Sequence, residues 1–132
     1  MVQFNGMRAW QTGLEVVEVE ATSRLIDLHN SAKLIDIVIA CRPLLAVTLR
    51  FQTTDGLPVD LTFGSVLGLS FRQDEADNRA PFATGWDPDL AETFFGVEFV
   101  PVQDDRGDFE VDTIVGTLTF SAATVTCELG TG

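Results

Sequence analysis

Strict alternation of apolar and polar residues in two neighbouring segments constrains the fold of this chain most strongly. The segments VTLRF and VDLTF, residues 47–51 and 59–63, each place three apolar side chains on one face of an extended chain. Between them lies Thr53-Thr54-Asp55-Gly56, and aspartate and glycine favour tight turns. The pattern predicts an antiparallel hairpin with one face on a hydrophobic core.

Related patterns elsewhere predict that the whole chain is all-β. Residues 14–20 alternate, residues 66–71 form a further candidate strand, and residues 118–120 and 125–129 predict a second hairpin that turns at 121–123. We therefore expect one domain, 1–132, built as a mostly antiparallel sandwich or flattened barrel of about eight strands.

Residues 23–39 permit two interpretations. The similar segments RLIDL (24–28) and KLIDI (33–37) predict two strands joined by a turn. A helix would also gather apolar residues on one face, namely Leu25, Leu28, Ala32, Ile35 and Ile39. The isoleucines and valine of 34–39 favour strands, because β-branched side chains lose rotamer freedom in a helix.

The only helix predicted covers residues 88–94. Asp87 followed by Pro88 suits an N-cap and the first helical position, and Asp89 with Glu92 gives a weaker capping pattern.

Composition excludes several classes of protein. The 132 residues carry 20 Asp and Glu against 8 Lys and Arg, a net charge of −12, yet 45% of them are apolar. That apolar content excludes an acidic disordered tail, and the shortage of bases argues against nucleic-acid and membrane-surface partners. Lacking a membrane-length apolar run or a signal-like N-terminus, the chain is expected to be cytoplasmic, with Cys41 and Cys127 as buried, reduced thiols.

The negative charge is concentrated in the second half of the chain. Residues 1–72 hold seven acids and six bases, a net charge of −1, whereas residues 73–132 hold thirteen acids and two bases, a net of −11. The window 74–112 also contains half of the twelve aromatic residues: Phe82, Trp86, Phe94, Phe95, Phe99 and Phe109. Acids around exposed rings are typical of a surface that binds a positively charged protein.

A four-residue hairpin loop over 104–107 would set the register in this window. Val102 would then face Phe109 and Val100 would face Val111 on the core side of the sheet. The other side would carry Asp108, Glu110 and Asp112 in a row, about 6.7 Å apart, beside Phe99.

No catalytic or metal-binding motif is complete. His29 is the only histidine, and there is no nucleophile elbow or phosphate-binding loop. The acids of 104–108 lack the order of a calcium loop, and Arg106-Gly107-Asp108 is too short a motif to carry weight. We expect no cofactor and no metal.

These observations predict a non-enzymatic binding or inhibitor module, of the immunity or antitoxin kind, that docks a basic protein. Its predicted contact residues are Trp86, Asp87, Phe99, Asp104, Asp105, Asp108, Glu110 and Asp112. One alternative is a structural subunit of a phage or secretion particle. Another is a small-ligand barrel or an enzyme that uses paired carboxylates, and an acidic sheet face with no role beyond solvation also fits the pattern.

Overall fold

A computed structural model describes residues 2–11, 16–73, 94–102 and 105–130, and this part of the chain is all-β without a helix. It contains eleven strands: β1 Gln3–Asn5, β2 Glu18–Ala21, β3 Arg24–Asp27, β4 Ala32–Ala40, β5 Ala46–Thr53, β6 Pro58–Gly64, β7 Leu67–Arg72, β8 Phe94–Pro101, β9 Gly107–Thr113, β10 Gly116–Ala122 and β11 Thr124–Leu129. The predicted all-β class is confirmed.

The strands form a sandwich-like arrangement. One sheet has the order β1-β11-β6-β5-β4, the second has the order β7-β10-β9-β8, and β2 and β3 form a separate pair. β1 runs parallel to β11, and the other pairings are antiparallel. Buried side chains of both large sheets belong to one hydrophobic core.

The β5–β6 hairpin follows the alternation that predicts it. Val47 pairs with Phe63, Leu49 with Leu61 and Phe51 with Val59. All six side chains are buried, whereas the intervening Thr48 and Thr62 point outward and share a hydrogen bond of 2.9 Å between their Oγ1 atoms. The prediction from these two segments is confirmed.

Residues 23–39 form strands and a turn, as their β-branched content favours. β3 and β4 occupy the two similar segments. Leu25 and Ile35, which a helix would have placed on its apolar face, are 64% and 49% exposed.

The predicted hairpin at the end of the chain is wrong in its pairing. β10 pairs with β9 and β7, whereas β11 pairs with β6 and β1 in the other sheet. The chain thus passes between sheets at Ala123, and it does the same between β6 and β7 at Ser65. The alternation identifies both strands correctly, but it does not say which sheet each one joins.

Arg106 links these two crossings. Its Nε donates to Ser121 Oγ at 2.8 Å, and a terminal nitrogen donates to the carbonyl oxygens of Ser65 and, at 3.1 Å, Ser121. These hydrogen bonds hold the Arg106 side chain against the two crossings, so it is not free to act as part of an exposed Arg106-Gly107-Asp108 motif.

The predicted helix, the two cysteines and the expected lack of a membrane span have different outcomes. The predicted helix 88–94 lies outside the described residues except for Phe94, which begins β8. Cys127 is buried as expected, but Cys41, which lies just beyond the end of β4, is exposed. In the described ranges no helix is long and apolar enough to cross a membrane.

Candidate functional site

The register between β8 and β9 determines which side chains share the acidic region. Phe99 pairs with Phe109, Val97 with Val111 and Glu98 with Glu110. The predicted register is wrong by three residues, and an odd shift exchanges the two faces of a strand. Val97 and Phe99 are therefore buried with β9's apolar residues, whereas Val100 and Val102, predicted to be in the core, are 56% and 44% exposed.

The loop between β8 and β9 explains this difference. The ladder ends at the pair Pro101 and Gly107, and the N–H of Val102 donates to the carbonyl of Arg106. Gly107 is thus the first residue of β9 and not part of the turn. A Cβ at Gly107 would overlap Cε1 of Phe99 and lie 2.9 Å from Cγ2 of Val2, so the glycine is needed for close packing.

Phe94, Phe99 and Phe109 of β8 and β9 belong to the hydrophobic core. Phe99, Phe109 and Phe120 lie side by side across β8, β9 and β10, with ring centroids 4.9 and 5.8 Å apart and nearly parallel planes. Phe63 of the opposite sheet packs edge-on against Phe109 and Phe120. Phe99 is only 4% exposed, so the prediction that it is exposed beside the acidic row is wrong.

The outer face of the β7-β10-β9-β8 sheet carries four carboxylates, which we call the acidic face: Glu98, Asp108, Glu110 and Asp112. The three residues of β9 alternate with buried Phe109 and Val111, as the sequence predicts. Glu98 reaches the same face from β8.

Three rows of residues cross this outer face from β7 to β8. The first row is Leu67, Ser121, Asp108 and Val100, the second is Ser70, Thr119, Glu110 and Glu98, and the third begins Arg72, Thr117 and Asp112. Apolar residues thus flank one end of the acidic face, and a cation flanks the other. The middle row places two carboxylates directly opposite each other.

Glu98 and Glu110 repel each other at this position, because like charges on directly opposed residues destabilise a sheet. The pKa of Glu110 is raised above its usual value, first by partial burial and then by the charges of Asp112 and Glu98. Arg72 opposes this rise with the smallest of these effects.

The remaining predicted residues fall in different places. Asp112 accepts a hydrogen bond of 2.9 Å from Oγ1 of Thr117. Asp105 is exposed in the β8–β9 loop, with a left-handed φ of 64°. Trp86, Asp87 and Asp104 lie outside the described residues.

The acidic face borders a shallow groove of about 450 Å³. Its lining combines carboxylates with hydroxyl and apolar groups: Leu67, Gly68, Glu98, Val100, Asp108, Phe109, Glu110, Thr119, Phe120 and Ser121. Among the described residues, no histidine, lysine or cysteine lines the groove, and no group of three or more His, Cys, Asp and Glu could hold a metal ion.

The other large sheet offers a matched comparison. Asp60 and Glu128 are directly opposed on β6 and β11, but Arg50 on the neighbouring strand lies 3.9 Å from Asp60. Within the described ranges, no salt bridge reaches any carboxylate of the acidic face. Two similar acidic pairs therefore differ in whether a described residue forms a salt bridge with one of their carboxylates.

Sequence reasoning missed Glu98 and the hydroxyl groups of β7 and β10. The alternation of Val97, Glu98 and Phe99 indicates that Glu98 lies on the opposite face from its two apolar neighbours. The predicted loop length was wrong, however, and it exchanged the core face and the outer face of this strand. The hydroxyl residues gave no signal before the strand order was known.

No protein-family model matches this chain, and searches of curated proteins and of solved structures find no match.

Proposed function

We propose that this chain is a non-enzymatic binding or inhibitor module that docks a basic protein on the acidic face. The observation that supports the proposal best is the pair Glu98 and Glu110, which are directly opposed and lack a salt bridge within the described residues. A cation from a partner would remove the repulsion between the two carboxylates. Binding would therefore relieve an electrostatic destabilisation that is present in the free protein.

The surroundings of the pair favour a protein partner. Leu67 is 60% exposed and Val100 is 56% exposed, and they lie at opposite ends of the row that also holds Asp108. A protein-binding surface typically combines exposed apolar area with charges. Burial of the apolar area supplies affinity, whereas the charges supply specificity and a fast association rate. Hydroxyl groups of Ser70 and Thr119 add hydrogen-bonding capacity in the middle row.

An enzyme with paired carboxylates is the second candidate, and the raised pKa of Glu110 is the observation that favours it. The groove offers no histidine, lysine or cysteine to complete a catalytic group, which makes docking the better supported function. An immunity-like or antitoxin-like role and a cytoplasmic location are parts of the docking proposal.

Affinity purification with two matched variants tests the proposal. The wild-type chain is used as bait beside E98Q/E110Q and D60N/E128Q, each of which removes one directly opposed acidic pair. We expect the wild type and D60N/E128Q to capture a basic protein that high salt releases, and E98Q/E110Q to lose it. Equal capture by all three baits, or no salt-released basic protein with any of them, would contradict the proposal.

A further inference from the structure

We infer that two copies of this chain associate through the second half of β4, pairing antiparallel about a two-fold axis at Val38. This surface belongs to the other large sheet, so the inference does not depend on the acidic face or its partner.

β4 is the longest edge strand of the two large sheets. Exposed edges invite pairing, and proteins usually blunt them with short strands, proline, bulges or covering segments. β1 has three residues, β7 has an irregular register beside the left-handed Gly68, and β8 ends in Pro101 and is bridged by Val16.

Among the described residues, such protection is present only at the first half of β4. A bulge lies between Leu34 and Asp36, next to the charge of Lys33. From Asp36 to Ala40 the pairing with β5 is regular, and the residues IVIA at 37–40 are apolar. Ile39 remains 49% exposed at this edge.

The sequence of this half is complementary to itself. In antiparallel pairing about Val38, Ile37 lies opposite the second copy's Ile39, and Asp36 lies opposite its Ala40. Isologous contacts of this kind are the usual basis of two-fold dimers. Pairing would join the two five-stranded sheets into one continuous sheet.

Charge complementarity specifies the second copy as the occupant. Asp36 of the other copy lies opposite Ala40 in this register, and Arg42 lies two residues beyond Ala40, in the bend that follows β4. We expect the long arginine side chain to reach that carboxylate. Asp36 and Arg42 are both exposed, and neither forms a salt bridge within the described residues.

The charge distribution of the chain permits this contact. Residues 1–72, which include β4, carry a net charge of only −1. The acidic face lies on the outer side of the other sheet. A five-residue ladder is short, so we expect a dimer that dissociates on dilution.

Sedimentation equilibrium with charge-swapped variants tests the inference. We expect the wild type to approach twice the 14.4 kDa chain mass as concentration rises. In the two-fold dimer, position 36 of each copy lies near position 42 of the other. In D36R, and likewise in R42D, these two positions carry like charges at both contacts, so each variant alone should stay monomeric. Mixed together they should form a heterodimer, because each chain then meets opposite charges on the other.

Circular dichroism and thermal unfolding of each variant verify that it is folded, which matters because position 36 faces Arg50 within the sheet. A wild type that is monomeric at its highest soluble concentration would overturn the inference. Variants that associate as well as the wild type, or a mixture that stays monomeric, would overturn it as well, since either result excludes this register.

Discussion

Glu98 on β8 and Glu110 on β9 are directly opposed, and both carboxylates lie on the acidic face. Their matched counterpart, Asp60 and Glu128, has Arg50 beside it. On the acidic face negative charge is therefore crowded and left without a salt bridge among the described residues, as it also is at the opposed pair Glu18 and Asp27 of β2 and β3.

Replacing Glu110 should stabilise the fold at neutral pH. Its pKa is raised from 4.5 in the folded state, so the folded protein binds this proton more tightly than the unfolded chain. That contribution to stability is complete below pH 4.5 and is lost as the pH rises through the folded-state pKa. Because glutamine does not ionise, E110Q should not show this loss of stability as the pH rises. We expect its free energy of unfolding at pH 7 to exceed that of the wild type by about 0.5 kcal/mol, a value that allows for solvent screening.

Urea unfolding across pH measures this effect, with E128Q as the control. A wild type whose stability follows the same pH profile as that of E110Q would show that Glu110 is not perturbed.

Removing the Arg106 side chain should destabilise both crossings between the sheets. R106A leaves the carbonyl oxygens of Ser65 and Ser121 without this donor, and hydrogen bonds to charged groups contribute about 1.5–3 kcal/mol each. We expect a loss of about 2 kcal/mol in urea unfolding. The control R8A removes the exposed ion pair with Glu20 and should cost less than about 1 kcal/mol. Similar losses in the two variants would refute the role of Arg106.

Adding one carbon at Gly107 should disturb the core. The new Cβ of G107A would overlap the ring of Phe99, and overpacking typically costs about 1–3 kcal/mol. F99L removes part of the ring, so G107A/F99L should lose less stability than the sum of the two single variants. Additive losses in a double-mutant cycle would show that Gly107 and Phe99 are not coupled.

The two thiols should differ in reactivity. Burial, with the nearby charges of Asp60 and Glu128, raises the pKa of Cys127 to about 11, whereas Cys41 is exposed. Because the thiolate is the reactive form, a thiol reagent such as DTNB should modify one cysteine in the native protein and two after unfolding. C41S should then leave no fast-reacting thiol, and a fast reaction that persists in C41S would contradict the assignment.

Local patterns predicted the strands better than their pairing. Alternation located β5, β6 and β11, because a strand buried on one face repeats every two residues. The crossing at Ala123 resembles a hairpin turn in sequence, and only contacts with β6 and β9 distinguish the two.

The candidate site shows the same limit. Alternation placed Asp108, Glu110 and Asp112 on one face of β9, but the faces of β8 depended on the loop. The turn pattern of residues 104–107 includes Gly107, although the role of this glycine is to make room for Phe99. A local turn pattern cannot reveal a packing requirement set by a distant side chain.

Calorimetric titration of the salt-released basic partner tests the central claim most directly. We expect E98Q/E110Q to weaken binding at least about tenfold, equal to about 1.4 kcal/mol, and D60N/E128Q to bind like the wild type. Raising the salt concentration should narrow the difference between the variants. Equal affinity of E98Q/E110Q and the wild type, or equal weakening by D60N/E128Q, would contradict docking on the acidic face.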